Sequence, residues 1–225
     1  MNERAAVIIP VYNEGKVIKS VIDKVLKEYK YVVCINDGSS DNSREEILKT
    51  KAYFVDHPIN MGQGAALQTG IEFARSLPVE YFVTYDADGQ HRLEDVREMI
   101  RTIKRDKTDF VLGSRFLGKE AVNMPKIKRI ILKMAIRFSN ITSGVKLTDT
   151  HNGLRVFNRK VANSIQITLP DMAHASEILE IIYRNKYTYT EVPVVIEYTD
   201  YSRGKGQSII NAVNIAFDTL LRKVS

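Results

Sequence analysis

Short apolar runs alternate with helix-like patterns in the first half of the chain. The runs end in polar residues, and the segments between them place apolar residues three or four positions apart, as amphipathic helices do. This alternation is typical of a mostly parallel sheet with crossover helices. The predicted strands are Ala5–Pro10, Tyr31–Asn36, Ala52–Asp56, Tyr81–Tyr85 and Phe110–Gly113. The predicted helices are Lys16–Glu28, Ser43–Lys49, Ala65–Leu77 and Leu93–Arg105.

The pattern changes after about Leu117. Downstream it predicts a basic amphipathic helix, a polar turn with a short strand, a helix, a strand, a glycine-containing loop and a final amphipathic helix. These segments are Ile127–Ile141, Thr148–Asn158, Ala175–Asn185, Thr190–Tyr198, Asp200–Gln207 and Ser208–Lys223. Because no Pro/Gly/Ser-rich linker or repeat separates the halves, we expect the 225 residues to form a single α/β domain.

Composition and charge narrow the class of protein. Apolar residues make up 44% and charged residues 27%, so the chain is typical of a globular protein. Its net charge of +6 is not accompanied by zinc-ligand spacing or an aromatic-interleaved RNA-binding pattern. Between Ala121 and Thr148 basic residues occur without acidic ones, which fits a membrane surface or a phosphate-bearing ligand at least as well as a duplex. They are Lys126, Lys128, Arg129, Lys133, Arg137 and Lys146.

Signals for export or a membrane anchor are not recognised in the sequence. The N-terminus passes directly into the first predicted strand, and no apolar stretch approaches the ~20 residues that span a bilayer. The single cysteine, Cys34, lies in an apolar run and is expected to be a buried strand thiol. We therefore expect a cytoplasmic protein, soluble or peripheral at the membrane.

Polar clusters follow four of the predicted strands. In open parallel sheets, ligands bind at the carboxyl ends of the strands, so these clusters indicate one site. They are Tyr12–Glu14, Asp37–Asp41, Asn60–Gly64 and Asp86–His91.

The segment after the fourth strand predicts a metal site. Asp86 and Asp88 stand at i and i+2 and point the same way on an extended chain, and Gln90 adds a neutral oxygen. A bound cation relieves the repulsion of the two carboxylates, and Mg²⁺ or Mn²⁺ prefers a few protein oxygens with the rest from water or phosphates. A lone Asp-X-Asp is more often a solvated turn, but the other strand-end clusters favour the metal.

The first two strand ends suit a nucleoside. Glu14 and Asp37 can accept hydrogen bonds from ribose hydroxyls or base N–H groups, and Pro10 and Tyr12 can form an apolar wall for the base. Taken alone, the segment Asp37–Asp41 is more typical of a turn with a helix cap.

These motifs together resemble family 2 glycosyltransferases of the GT-A fold, nearest to the polyprenyl-phosphate (dolichol-phosphate mannose synthase-like) hexosyltransferase branch. The resemblance covers the whole chain and implies a Rossmann-like, mostly parallel sheet flanked by helices. It implies inverting transfer from a UDP- or GDP-sugar, with residues 1–117 binding the nucleotide sugar and residues 118–225 on the acceptor side. The motifs are Pro10–Glu14, Asn36–Asp41, Asn60–Ala66 and Asp86–His91.

The resemblance also implies individual roles. Asp86, Asp88 and Gln90 match the ligands of a metal that bridges the diphosphate, and the segment Asp149–Arg155 matches an acceptor-side Asp-x-x-x-Gly-x-Arg motif. The basic loop departs from the family pattern, because Ile209 stands where a lysine is usual. The residues expected at the donor are Pro10, Tyr12, Glu14, Ile35, Asp37, Asp86, Ala87, Arg115, Arg203 and Lys205.

The acceptor distinguishes two kinds of transferase. An alcohol acceptor needs a general base, whereas a phosphate monoester, with a second pKa of ~6, is already an anion at neutral pH. No aspartate follows Glu177, where many sugar-to-sugar members of the family carry a Glu-Asp pair, so a polyprenyl phosphate is favoured. Asp149 and Glu177 stay open either as bases or as structural residues. The expected catalytic residues are Asp88, Arg115, Asp149 and Glu177.

Rival functions and the route to the membrane also stay open. The main rival acceptor is a saccharide hydroxyl in a cell-surface polysaccharide. A nucleotidyltransferase or a non-catalytic sugar-nucleotide-binding protein is less favoured, because Tyr12–Gly15 is not a glycine-rich basic loop and the metal motif is intact. The helix Ile127–Ile141 either lies at the bilayer surface and guides a lipid phosphate to the site, or packs on the core with a solvated basic side. The helix Ser208–Lys223 either binds a small membrane-protein partner or closes the core of the domain. For His91, His151 and His174 we expect hydrogen-bonding roles.

Overall fold

The computed structural model describes residues 2–118, 136–137, 140, 144–150, 152–171 and 173–197. Most of the predicted helix Ile127–Ile141, and the whole of Asp200–Gln207 and Ser208–Lys223, lie outside them. The strands are β1 (Asn2–Val11), β2 (Tyr29–Asp37), β3 (Tyr53–His57), β4 (Tyr81–Thr84), β5 (Phe110–Ser114), β6 (Arg155–Asn158) and β7 (Tyr189–Pro193). The helices are α1 (Ile18–Leu26), α2 (Ser43–Leu48), α3 (Gln63–Arg75), α4 (Leu93–Asp106), α5 (Arg159–Ser164) and α6 (His174–Arg184).

The described strands form one sheet in the order β3-β2-β1-β4-β6-β5-β7. The strands β1 to β4 pair in parallel, as do β5 and β7, so the predicted mostly parallel sheet is confirmed. The exception is β6, which runs antiparallel between β4 and β5 and places Arg155 opposite Thr84. This insertion brings the start of β6 to the end of β4, where the predicted metal motif begins.

Helices cover both faces of the sheet. One apolar cluster joins the sheet to α1, α2 and α4, and the other joins it to α3, α5 and α6. Strands buried on both faces are apolar throughout, which explains why β1 and β2 were recognised as continuous apolar runs. Cys34 is fully buried as expected, and burial raises the pKa of its thiol.

Some observed elements differ from the predicted ones. The helix expected at Ala65–Leu77 begins two residues earlier, at Gln63, directly after Gly62, whose φ is 91°. The six-residue α5 was missed, because so short a segment carries little helical periodicity. The strand expected at Thr190–Tyr198 ends at Pro193, and Ile196 forms only an isolated bridge with His91.

Candidate active site

Hydrogen bonds join the loops that follow β1 and β2. Asn13 adopts a left-handed conformation (φ 54°), and its Oδ1 accepts hydrogen bonds from the backbone N–H groups of Ser40 (2.8 Å) and Asp41 (3.3 Å). The N–H of Asn13 donates to Ser39 Oγ (3.0 Å), and that of Gly15 donates to Asp41 Oδ2 (3.0 Å). Asparagine tolerates this backbone conformation better than most residues. The loops at the predicted nucleoside site therefore hold each other in place, a link that the sequence did not reveal.

The residues predicted to hold the nucleoside differ in exposure. Tyr12 is 48% exposed, and Glu14 is half-buried. Pro10 and Ile35 are neighbours in register and both buried. The Ile35 side chain packs against α3, because a Cβ at Gly70 would lie 2.6 Å from its Cδ1. The structure therefore gives the side chain of Ile35 a core role, and Tyr12 and Glu14 are the accessible members of the set.

Asp37 anchors the loop that precedes α3. Its carboxylate accepts hydrogen bonds from the N–H groups of Met61 (2.9 Å) and Gly62 (2.9 Å), and its Oδ1 lies 2.8 Å from His57 Nδ1. The other ring nitrogen of His57 lies 3.0 Å from Thr69 Oγ1. Only 2% of Asp37 is exposed. These contacts make Asp37 part of the scaffold, and its contact with a nucleoside stays a prediction.

The carboxylate of Asp86 is held by hydrogen bonds from two side chains, His91 and Gln63. Its Oδ2 lies 2.9 Å from His91 Nε2, and its Oδ1 accepts a hydrogen bond from Gln63 Nε2 at 3.3 Å. Burial acts to raise the pKa of this carboxyl, but the hydrogen bond from His91 and the charge of Arg155 outweigh it and leave the pKa lowered. Asp86 is therefore ionised at neutral pH, and the hydrogen-bonding role expected for His91 is confirmed.

Asp88 lies in an electrostatically unfavourable position. Burial and the nearby Asp86 raise its pKa to about 6, and Glu14 acts in the same direction. Its Oδ1 accepts a hydrogen bond from the N–H of Gln90 (3.0 Å). The intervening Ala87 turns its side chain into the core, with 5% exposed, so only its backbone is left for a donor.

The carboxylates of Asp86 and Asp88 fit a divalent cation that takes its other ligands from a substrate. Within the described part of the chain, no three His, Cys, Asp or Glu side chains together form a metal site. Mg²⁺ is commonly held by one or two carboxylates plus substrate phosphates. A cation would also offset the repulsion that raises the pKa of Asp88. Gln90 is half-buried beside them.

Arg115 and Asp149 form a buried ion pair. Arg115 Nε and Nη2 donate to the two carboxylate oxygens at 2.6 and 2.8 Å, and the Arg115 backbone N–H donates to Oδ2 at 3.0 Å. The Asp149 side chain is 0% exposed and that of Arg115 is 12% exposed. The pairing and the burial of Asp149 argue against a role as general base, because a hydroxyl acceptor would have to reach a carboxylate that is already bound by a guanidinium. Its catalytic role stays a prediction.

Glu177 also has a structural role. Its carboxylate accepts hydrogen bonds from the N–H groups of Thr168 (2.9 Å) and Leu169 (2.9 Å) and from Thr168 Oγ1 (2.5 Å). The same segment contacts the start of α3, where the N–H of Gly64 donates to the carbonyl of Pro170 at 2.7 Å. The structural alternative for Glu177 is therefore the one that the contacts favour.

Residues that the sequence analysis did not single out complete the surroundings of Asp86. These are Gln63 on α3, and Gly153 and Arg155 at the start of β6. His174 lies nearby, and its Nδ1 is 2.7 Å from the carbonyl of Asp171, as its hydrogen-bonding role required. The polar cluster Asn60–Gly64 had already placed Gln63 near the site, whereas only the resemblance of the Asp149–Arg155 segment to a family motif pointed to Gly153 and Arg155.

Several predicted features lie outside the described residues. They include the donor residues Arg203 and Lys205, His151 and most of the basic helix Ile127–Ile141. Where the structure is described, no helix is both long and apolar enough to cross a membrane.

Comparisons with known proteins identify the family of the chain. The family model described as glycosyl transferase family 2 matches residues 6–166. A UDP-N-acetylglucosamine–dolichyl-phosphate N-acetylglucosaminyltransferase of Methanococcus voltae is 32% identical, over 96% of this chain and 95% of the relative. A polyprenol monophosphomannose synthase of Mycolicibacterium smegmatis is 25% identical, over 95% of this chain and 83% of the relative.

A solved structure supports the fold. Glucosyl-3-phosphoglycerate synthase from Mycobacterium tuberculosis, in complex with Mn²⁺ and uridine-diphosphate-glucose, superposes with a TM-score of 0.72 at 15% identity. The match covers 97% of this chain and 77% of the synthase. At this identity the likeness shows the fold alone, and it confirms the predicted GT-A architecture.

Proposed function

The chain belongs to glycosyl transferase family 2, and on this premise we propose that it moves a hexose from a UDP- or GDP-sugar to a polyprenyl phosphate. The transfer inverts the configuration at the anomeric carbon of the sugar and takes place at the cytoplasmic face of a membrane. Two relatives support this acceptor class, because one is named for dolichyl phosphate and the other for polyprenol monophosphomannose. The chain aligns with both over nearly its full length.

The choice of acceptor rests on the observation that the carboxylates of Asp149 and Glu177 are already bound by other groups of the protein. Both were candidates for the base that a hydroxyl acceptor needs, and both are occupied by internal contacts. A polyprenyl phosphate needs no such base, since its phosphate is an anion at neutral pH. This observation favours a lipid phosphate over a saccharide hydroxyl.

The donor would bind where β1, β2 and β4 end. Asp86 and Asp88, with Gln90 beside them, would hold Mg²⁺ or Mn²⁺, which supplies positive charge to the diphosphate leaving group. Glu14 and Tyr12 lie at the neighbouring strand end and would contact the nucleoside. Arg115 is oriented by Asp149 and would stabilise the negative charge that develops on the departing phosphate.

The sequence beyond the described residues would complete the site. We assign Arg203 and Lys205 to the donor phosphates, and the basic helix Ile127–Ile141 to contact with the membrane or the lipid phosphate. Membrane contact is either direct or through a small membrane-protein partner bound to Ser208–Lys223.

A donor and acceptor screen tests the proposal. The purified chain is incubated with UDP-glucose, UDP-N-acetylglucosamine or GDP-mannose, with Mg²⁺ or Mn²⁺, and with either undecaprenyl phosphate, dolichyl phosphate or saccharides. Nucleoside diphosphate release is followed, and products are identified by mass spectrometry and by NMR of the anomeric proton. We expect a lipid-phosphate-linked sugar of inverted configuration. Sugar on a saccharide hydroxyl, with the lipid phosphate unused, would establish the rival function instead.

A further inference from the structure

Gly153 lies directly against the carboxylate of Asp86. A Cβ at this position would lie 2.5 Å from Asp86 Oδ2 and 2.6 Å from Oδ1, closer than any normal contact. The φ of Gly153 is not in the left-handed region, so backbone conformation does not require glycine here. The carbonyl of Gly153 accepts a hydrogen bond from Thr84 Oγ1 at 2.6 Å, which holds the two segments together. Space for the Asp86 carboxylate is therefore the physical reason for a glycine.

Arg155 follows two residues later and is also buried. It begins β6 opposite Thr84, with 3% of its surface exposed, and its charge acts on both Asp86 and Asp149. Asp149 already pairs with Arg115. Among the described residues, Arg155 Nη1 has no hydrogen-bond partner. A buried guanidinium needs a counter-charge, and the carboxylates of Asp86 and Asp149 both act on Arg155.

We propose that Gly153 and Arg155 are positioning residues for Asp86, one by leaving the space that the carboxylate occupies and the other by supplying its counter-charge. The inference rests on the proposed role of Asp86 as a metal ligand. His91 and Gln63 hold the carboxylate from the other sides, so it has one orientation in which all its contacts are kept. Neither Gly153 nor Arg155 needs to touch the metal.

The structure predicts which atoms move if Gly153 gains a methyl group. The backbone there is held by Thr84 and by the pairing of β6 with both neighbouring strands. The Asp86 carboxylate is the end of a side chain and is therefore the group that shifts. Gly153→Ala should keep the fold and misplace the metal ligand.

Binding of Mn²⁺ tests the proposal without depending on turnover. Free Mn²⁺ is measured by electron paramagnetic resonance in the presence of UDP for the wild type, Gly153→Ala, Arg155→Met and Arg155→Lys. We expect Gly153→Ala and Arg155→Met to weaken Mn²⁺ binding about tenfold or more, as changes next to metal ligands do. Arg155→Lys keeps the charge and should recover most of the affinity.

The matched control adds a methyl group elsewhere in the core. In Gly70→Ala the new Cβ would meet the side chains of Ile8 and Ile35, at 2.4 and 2.6 Å from their nearest atoms, and not Asp86. It should lower the melting temperature and leave Mn²⁺ affinity unchanged. If circular dichroism shows that Gly153→Ala does not fold, the comparison of Mn²⁺ affinity between Arg155→Met and Arg155→Lys tests the proposal.

A double-mutant cycle with Asp86→Asn tests whether Gly153→Ala lowers Mn²⁺ affinity by displacing Asp86. If Gly153 acts through Asp86, Gly153→Ala causes little further loss of Mn²⁺ affinity in the Asp86→Asn background. The inference would be overturned, with the metal assignment left intact, if Gly153→Ala lowered Mn²⁺ affinity as much in the Asp86→Asn background as in the wild type. Wild-type Mn²⁺ affinity in both Gly153→Ala and Arg155→Met would overturn it as well. A wild-type protein that does not bind Mn²⁺ would overturn the metal assignment and this inference with it.

Discussion

Arg115 and Asp149 face each other in a bidentate pair, with Arg115 Nε and Nη2 at 2.6 and 2.8 Å from the carboxylate oxygens. The pair joins the end of β5 to the segment that leads into β6. The arginine that we assign to the donor phosphate is therefore oriented by a carboxylate from the acceptor half of the chain. Two residues 34 positions apart thus link the halves of the proposed reaction.

Asp149→Asn should destabilise the protein. The change removes the negative charge that faces the Arg115 guanidinium in this buried pair, and breaking a buried pair typically costs about 3–5 kcal/mol. The free energy of unfolding is measured by urea titration. The control is Asp23→Asn, which removes an exposed partner of Lys19 and should have little effect, since both side chains are 45% exposed. Equal stability of the two variants would contradict a structural role for the pair.

Glu177→Gln should retain turnover. Removal of a true general base lowers the rate by about 10²–10⁴-fold, whereas removal of an acceptor for Thr168 and Leu169 acts on stability. We therefore expect a lower melting temperature and a kcat within a few-fold of wild type. Glu180→Gln on the same helix, where the side chain is 45% exposed, is the control. A loss of kcat at full stability would restore Glu177 as the base and support a hydroxyl acceptor.

Asp88→Asn should abolish metal-dependent turnover while the fold survives. One of the two carboxylates that would hold the cation is lost, so we expect kcat/KM to fall about 10²-fold or more. Chelation of divalent cations in the wild type should have the same effect and should be reversed by Mg²⁺ or Mn²⁺. The control Glu94→Gln changes an exposed carboxylate on α4. Full activity of Asp88→Asn would show that the metal assignment is wrong.

His174 should make folding stability depend on pH. Burial and the charge of Arg155 lower its pKa from 6.5 to about 4. Between these values the unfolded chain binds a proton that the folded chain does not, so stability falls as the pH drops through this window. The shift corresponds to roughly 3 kcal/mol.

His174→Gln should remove this contribution. The difference in unfolding free energy between wild type and variant is measured by urea titration at pH 7.5 and at pH 4.5. We expect the difference to move in favour of the variant at the lower pH. A difference that is the same at both pH values would contradict the assignment of a buried, neutral His174.

The sequence predicted the strands most directly where both faces of the strand are buried. The strands β1, β2, β4 and β5 overlap their predicted runs, because burial on both faces makes them mostly apolar. The strand β3 also overlaps its predicted run, although only His57 in it is buried. The antiparallel position of β6 was not predictable, because the pattern of a strand does not identify its partners. The helix α5 was missed because six residues carry too little periodicity.

The sequence by itself determined which chemical groups stand at the strand ends. The spacing of Asp86, Asp88 and Gln90 after an apolar strand is a property of the local chain, as is the position of Glu14 after β1. Tertiary structure decided which carboxylates are already occupied, since Asp149 is bound by Arg115 and Glu177 by Thr168 and Leu169. It also brought Gly153 against Asp86, 67 positions earlier in the chain. Local spacing is set by the backbone repeat, whereas such contacts depend on the path of the whole chain through the sheet.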